Sequence, residues 1–127
     1  MLIIKPIQDK EYQAEVCHKC GFEYSPLSFA YSAKEDDKLI AGCQFDILGE
    51  TCEISGFEMV EGFDEDLEAL IILGRAVLNF MELSGAKYCT FGASEKRYAR
   101  AIGFRETDGV WKITLEGLFD GKCNKCE

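Results

Sequence analysis

Two pairs of cysteines near opposite ends of the chain have the spacing of metal ligands. Both pairs have the form Cys-x-x-Cys, and they comprise Cys17 with Cys20 and Cys123 with Cys126. Four thiolates satisfy the tetrahedral coordination of a structural zinc ion, and the Cys-Gly-Phe sequence that follows the first pair resembles a zinc knuckle. These four residues are therefore candidate zinc ligands if the chain brings the two pairs together.

Other interpretations of the two pairs stay open. A metal site between molecules would form if a homodimer brought the pairs together. A redox-active dithiol is another interpretation, because Cys-x-x-Cys pairs also carry out thiol exchange. The last is that these cysteines are reduced surface thiols that share no ligand. His18 lies inside the first pair, and we expect it to face solvent rather than to bind metal.

The remaining cysteines are expected to be core residues of an intracellular protein. Cys43, Cys52 and Cys89 lie inside apolar, strand-like runs, and free cysteine is commonly buried. The total of seven cysteines is odd and no export signal is visible, which disfavours a secreted disulfide scaffold. We therefore expect a cytoplasmic location, where thiols stay reduced.

Composition and charge restrict the classes of protein to consider. With 127 residues the chain is long enough for one domain with its own core, and we expect a single domain over 1–127 with a tail at 118–127. No apolar run reaches the roughly 18 to 20 residues that a membrane-spanning helix needs. The net charge of −9 disfavours nucleic-acid binding, which needs a basic surface.

Apolar periodicity and turn residues predict the elements that must position these side chains. Strands are expected at 2–7, 29–33, 39–48, 51–60, 88–91 and 110–116, and helices at 9–20, at 66–83 and in a short segment ending within 98–104. Asp9 is the predicted N-cap of the first helix, and Gly21 its stop signal. The order β-α-β-β-β-α-β-α-β predicts an α/β fold, a mixed sheet flanked by helices.

The region 51–104 is the most informative part of this pattern. A strand leads into a long helix, a short apolar strand and a second helix. A β-α-β-α unit of this kind implies a pair of parallel strands, with a crevice at their carboxyl ends where small ligands tend to bind.

Two segments of this region resemble the GNAT acyltransferase family. The segment from Arg75 to Lys87 is similar to the family's cofactor-side helix and the turn after it. The segment from Tyr98 to Phe104 is similar to the family's Tyr-x-x-x-Gly-Phe segment, with one more residue between Tyr and Gly. The order of elements extends the resemblance to about Gly117. It implies a GNAT-like sheet and transfer of an acyl group from acetyl-CoA to the amine of a small molecule or peptide.

The segment expected to hold the CoA pyrophosphate departs from the family's pattern. GNAT proteins use a loop of the form Gln/Arg-x-x-Gly-x-Gly/Ala, whose backbone N–H groups bind the pyrophosphate at a helix start. The corresponding segment here, Glu65 to Leu70, has no glycine and carries carboxylates. Carboxylates suit a helix N-terminus structurally, but they would repel a pyrophosphate. The alternatives to an enzyme are an inactive GNAT-like binding or regulatory module, and a zinc or thiol-redox protein.

The resemblance also implies roles for individual side chains. Tyr98 matches the family position that often protonates the departing CoA thiolate, although its ring could simply pack at the edge of its helix. Glu58, near the end of the fourth strand, is a candidate base for the amine, or else an exposed strand carboxylate. Met59 and Val60 are expected to offer main-chain groups to the cofactor. The nearest cations that could offset the acidic helix start are Arg75, Lys96, Arg97 and Arg100.

Overall fold

The computed structural model describes residues 1–118, which form a seven-stranded mixed sheet with three helices. The strands are β1 (Leu2–Pro6), β2 (Phe29–Glu35), β3 (Lys38–Leu48), β4 (Thr51–Met59), β5 (Tyr88–Phe91), β6 (Arg105–Thr107) and β7 (Val110–Thr114). The helices are α1 (Lys10–Cys20), α2 (Leu67–Leu83) and α3 (Lys96–Ile102). The strand order across the sheet is β1-β2-β3-β4-β5-β7-β6. None of the described helices is long and apolar enough to cross a membrane.

The first four strands are antiparallel neighbours; α1 lies in the connection from β1 to β2, and tight turns join β2 to β3 and β3 to β4. Leu48 pairs with Thr51, which confirms the hairpin predicted around Gly49 and Glu50. The β2–β3 turn is made by Asp36 and Asp37, whose φ angles of 52° and 70° suit a two-residue hairpin turn. The predicted second strand ended earlier than β2 does, because its last two residues are charged and half-buried.

The chain then crosses over to make the predicted parallel pair. α2 connects β4 to β5, which pair in parallel, and α3 follows β5. β6 was not predicted, because its residues are exposed and show no apolar alternation. It pairs with β7 across a turn at Asp108 and Gly109, where both φ angles are positive.

The helices cover the two faces of the sheet unequally. α2 and α3 pack together on one face, where a Cβ at Gly74 would lie 2.5 Å from Ile102, so the two helices approach closely. The larger hydrophobic core lies under them, and it includes the buried cysteines predicted as core residues, Cys43, Cys52 and Cys89. α1 covers the other face, with Asp9 as N-cap and Gly21 at its C-cap with φ 81°, as predicted.

Candidate functional site

β4 and β5 pair over one end only and then separate. Their register runs from Thr51 opposite Tyr88 to Ile54 opposite Phe91, and one more hydrogen bond joins the Gly92 N–H to the Ile54 carbonyl over 2.7 Å. β4 continues to its end at Met59, whereas β5 has stopped. The remainder of β4, 55–59, therefore has no strand partner on this side among the described residues.

A β-bulge in β4 coincides with the point of separation. Phe45 pairs with Ile54 and Gln44 pairs with Gly56, which leaves Ser55 as the extra residue on β4. A bulge bends its strand and increases the local twist. The Ser55 hydroxyl donates a hydrogen bond to the Gln44 carbonyl over 3.3 Å, which holds the extra residue in place. The bulge thus lies directly after Ile54, the last residue of β4 that pairs with β5.

The separated part of β4 presents main-chain groups to the gap. The Val60 N–H donates to the Ile40 carbonyl over 2.7 Å, so alternate residues of β4 direct their N–H and C=O groups toward β3. Phe57 and Met59 have the opposite parity and direct theirs toward the gap. The Val60 carbonyl accepts the Phe63 N–H, so both main-chain groups of Val60 are engaged. Of the two predicted main-chain contacts, the geometry thus offers Met59.

A cleft of about 440 Å³ lies at this end of β4. It brings together five of the predicted site residues: Glu58, Met59, Val60 and Tyr98, and Cys20 of the first cysteine pair. The carboxylates of Glu61 and Glu65 also line it.

Tyr98 is packed and still presents its hydroxyl to the cleft. The residue is only 5% exposed, and its ring meets the Phe57 ring edge-on at a centroid distance of 5.8 Å. Its hydroxyl donates a hydrogen bond to Glu65 Oε1 over 3.2 Å. Burial, assisted by the charges of Glu65 and Glu58, raises the pKa of Tyr98 to about 12. The phenol is therefore protonated at neutral pH and remains a hydrogen-bond donor.

Glu58 occupies the wall of the cleft next to α1. It is half-buried, and within residues 1–118 its carboxylate has no ion-pair partner. Burial raises the pKa of Glu58 above its ordinary value, the charges of Glu95 and Glu65 add to the shift, and Arg97 opposes it. A carboxylate with a raised pKa is a better proton acceptor near neutral pH than an ordinary one.

The carboxylates before α2 are already engaged. The side chain of Asp66, the N-cap residue, accepts a hydrogen bond from the Ala69 N–H over 3.1 Å. It thereby occupies one of the N–H groups that an anion at this helix start would use. Glu65 extends toward α3, where it contacts Tyr98 and forms an ion pair of 2.8 Å with Arg97.

Comparison with known proteins identifies the fold. No protein-family model and no curated protein sequence matches the chain. Among solved structures, it is similar to a GNAT family acetyltransferase from Brucella melitensis in complex with acetyl-CoA, with 15% identity, coverage of 90% of this chain and 88% of that one, and a TM-score of 0.67. This chain has the GNAT fold.

Two further structures support the same conclusion. The ribosomal-protein-S18-alanine N-acetyltransferase from Escherichia coli is 11% identical and covers 91% of this chain and 94% of its own, with a TM-score of 0.67. A GNAT family N-acetyltransferase from Escherichia coli in complex with CoA is 12% identical and covers 94% of this chain and 85% of its own, again with a TM-score of 0.67. The predicted mixed, GNAT-like sheet is thus confirmed.

Two of these similar structures contain acetyl-CoA or CoA, and the two ends of the cleft differ in how well they would fit such a ligand. The main-chain edge at Met59 and the Tyr98 hydroxyl fit a thioester arm, which needs hydrogen-bonding groups along its length and a donor near its sulfur. The start of α2 does not fit a diphosphate while Glu65 and Asp66 line it, since like charges in proximity repel. Arg97 supplies a cation beside the same carboxylates.

Arg75 lies outside this arrangement. It is exposed on α2, about two turns after the first residue of the helix. It is not among the residues that line the cleft. Its predicted role in offsetting the acidic helix start stays a prediction.

The first cysteine pair faces the interior of the protein. Cys17 and Cys20 are 1% and 3% exposed, so the interpretation of this pair as surface thiols is wrong. Burial raises the pKa of Cys17 to about 11 and that of Cys20 to about 12, whereas zinc binds thiolates. In residues 1–118 no group of three or more His, Cys, Asp or Glu side chains could hold a metal ion. The other two predicted zinc ligands, Cys123 and Cys126, lie outside the described residues.

Sequence reasoning did not single out the ion pair between Glu65 and Arg97. It placed Glu65 among several helix-start carboxylates and Arg97 among four cations that could offset them, without pairing the two. The two residues are 32 positions apart, and no local pattern pairs them. His18, by contrast, is exposed, as the sequence suggested.

Proposed function

We propose that this chain transfers an acyl group from acyl-CoA, with acetyl-CoA as the simplest donor, to the amine of a small molecule or a peptide. The observation that carries the proposal is that a candidate base, Glu58, and a candidate acid, Tyr98, line one cleft where β4 and β5 separate. Solved structures of the same fold include complexes with acetyl-CoA and with CoA, which supports the choice of donor.

Glu58 acts on the acceptor. An amine is protonated near neutral pH and must lose a proton before its nitrogen can attack a carbonyl carbon. Glu58 accepts this proton, directly or through water, and its raised pKa improves the match to an amine. The new bond joins the amine nitrogen to the acyl carbon, and the bond that breaks joins that carbon to sulfur.

Tyr98 acts on the leaving sulfur. Its hydroxyl points into the cleft and is a hydrogen-bond donor at neutral pH, with its pKa raised to about 12. Donation to the sulfur stabilises the negative charge that develops as the carbon–sulfur bond breaks. The Phe57 ring holds the Tyr98 ring, and the main chain at Met59 orients the thioester arm along β4.

The proposal is tested first by isothermal titration of acetyl-CoA into the reduced protein, followed by acetylation assays on small amines and peptide amines. Tyr98→Phe and Glu58→Gln are each expected to lower kcat/KM by about 100-fold. Tyr88→Phe is the matched control, because Tyr88 lies where β4 and β5 are still paired. No binding at millimolar acetyl-CoA, with no acetylated product, overturns the proposal.

The pH profile gives a second test. Since Glu58 must be ionised to accept a proton, kcat/KM should rise with pH, and the raised pKa places this rise above the ordinary range of glutamate. Glu58→Gln should flatten this rise of kcat/KM with pH. If the rise is unchanged in Glu58→Gln, the base is another group.

A further inference from the structure

Arg97 holds a carboxylate in the geometry with which arginine holds a phosphate. Its Nη2 donates to Glu65 Oε1 over 2.8 Å, and its Nη1 donates to Glu65 Oε2 over 3.3 Å. This two-pronged arrangement suits carboxylate and phosphate equally, because both present two oxygens to the planar guanidinium. The Glu65 carboxylate thus marks a position in which a phosphate group could take its place.

The remaining contacts of Arg97 do not involve the two Nη groups that bind Glu65. Its Nε donates to Glu95 Oε2 over 3.2 Å, so one carboxylate fixes the inner edge of the guanidinium. The guanidinium also lies over the Tyr98 ring, at 5.3 Å from the ring centroid. Both contacts leave the two Nη groups directed at Glu65. The side chain is 59% exposed, so an incoming anion can reach it.

One member of this ion pair, Glu65, lies both beside the start of α2 and in the lining of the cleft. Glu65 directly precedes Asp66, the N-cap of α2, and it lines the same cleft as Tyr98. A diphosphate at the helix start would therefore meet the Glu65 carboxylate, while the guanidinium that could bind it is within reach. The repulsive group and the attractive group are members of one ion pair.

We propose that Arg97 is the phosphate-binding residue of this chain and that Glu65 occupies its guanidinium until the diphosphate of the acyl donor displaces it. This inference rests on the proposed function. Displacement replaces one two-pronged, charge-assisted contact with another, so it reconciles the acidic helix start with an anionic donor. It also releases the Tyr98 hydroxyl from Glu65 Oε1, which makes that hydroxyl available to the thioester sulfur.

The test compares two donors that share the thioester arm and differ in the phosphates. Acetyl-CoA carries the diphosphate, and S-acetylpantetheine lacks it. Binding of both is measured by isothermal titration to the wild type, Glu65→Gln, Arg97→Gln and the double variant. The control is Asp64→Asn, which removes the same charge at an exposed neighbouring residue and leaves the ion pair intact.

Glu65→Gln is expected to tighten acetyl-CoA binding about tenfold and to leave S-acetylpantetheine unchanged, because the gain comes from the freed guanidinium. Arg97→Gln should weaken acetyl-CoA about tenfold and abolish the gain from Glu65→Gln in the double variant. Asp64→Asn should change either affinity little.

Each other outcome overturns the inference in a recognisable way. An equal gain for both donors would mean that Glu65 only obstructs the cleft. An equal gain from Asp64→Asn would mean that general charge, rather than the ion pair, sets the affinity. Acetyl-CoA binding that neither variant alters removes the inference and leaves the proposed function standing. Failure of every variant to bind acetyl-CoA removes both.

Discussion

The two faces of the β3–β4 hairpin are built from different chemistry. Toward α2 and α3 the hairpin presents large apolar side chains, including Phe45, Ile54 and Phe57, each fully buried. Toward α1 it presents two glycines and a buried amide, namely Gly42, Gly56 and Gln44. Burial of apolar area dominates folding stability, whereas hydrogen-bonded polar groups fix particular geometries.

The polar face is organised around one side chain. Gln44 Oε1 accepts hydrogen bonds from Gln13 Nε2 over 3.0 Å and from the Ser25 N–H over 2.9 Å, and Gln44 Nε2 donates to the Glu23 carbonyl over 2.8 Å. These bonds tie the connection between α1 and β2 to the sheet. The same face carries Glu58 at its end. One face therefore supplies most of the stability, and the other shapes the wall of the cleft beside the candidate base.

The largest effect is expected on the apolar face. Phe57→Ala removes a fully buried ring that meets the rings of Phe91 and Tyr98. We expect a loss of about 3 to 5 kcal/mol in the free energy of unfolding, measured by urea denaturation. Phe29→Ala is the control, because Phe29 is 47% exposed and should cost much less. Equal losses in the free energy of unfolding for the two variants would show that the apolar face contributes no more to stability than a half-exposed ring does.

The next effect tests the polar face. Gln44→Ala leaves the Ser25 N–H and the Glu23 carbonyl without their side-chain partner, whereas Gln13 Nε2 keeps the Ser25 and Ser28 carbonyls as acceptors. We expect a loss of about 3 kcal/mol, because each unsatisfied buried group costs about 1 to 3 kcal/mol and water can satisfy some of them.

Hydrogen exchange distinguishes this loss from a general loosening of the core. Exchange should accelerate in the segment 21–28 more than in α2. Gln8→Ala, at an exposed position, is the control. Uniform acceleration through both regions would show that Gln44 stabilises the whole fold and does not specifically hold this segment.

A smaller effect is expected at Gly56, the glycine that packs against the Phe22 ring. A Cβ at Gly56 would lie 2.3 Å from Phe22 Cδ1, which is closer than real Cβ contacts allow. Gly56→Ala should therefore cost about 1 to 3 kcal/mol in the free energy of unfolding. Phe22→Leu in the same chain should recover part of this loss. Additive costs of the two substitutions would show that the Phe22 ring does not fill this space.

The elements of this fold follow from local sequence patterns, and the site only partly does. Alternating and helical apolar spacing predicts the hairpin at Gly49 and the parallel pair, because one face of each element must be buried. Tyr98 and Glu58 were named through the resemblance to the GNAT family; the fold places both at the cleft, and their roles stay predictions. The bounds of β2 and the existence of β6 were missed where residues are charged or exposed.

Contacts between distant polar side chains were not predictable in this way. Gln13 meets Gln44 across 31 positions, and each glutamine alone is an ordinary polar residue in the sequence. The ion pair of Glu65 and Arg97 likewise depends on where α3 packs against the start of α2. Such pairs are set by the relative placement of elements, which periodicity does not encode.

The smallest effect is expected at the first cysteine pair. Cys17 and Cys20 lie on α1, which packs against the polar face of the hairpin, and both are buried. With pKa values of about 11 and 12, the thiols of Cys17 and Cys20 are ionised to at most about one part in a thousand at pH 8. Iodoacetamide should therefore leave both residues unmodified in the native protein and modify them after urea denaturation, as peptide mass spectrometry would show. Because alkylation consumes the thiolate, rapid modification of the native pair would mean that the α1 face opens readily. The polar face of the hairpin would then be mobile, and so would the wall of the cleft that carries Glu58.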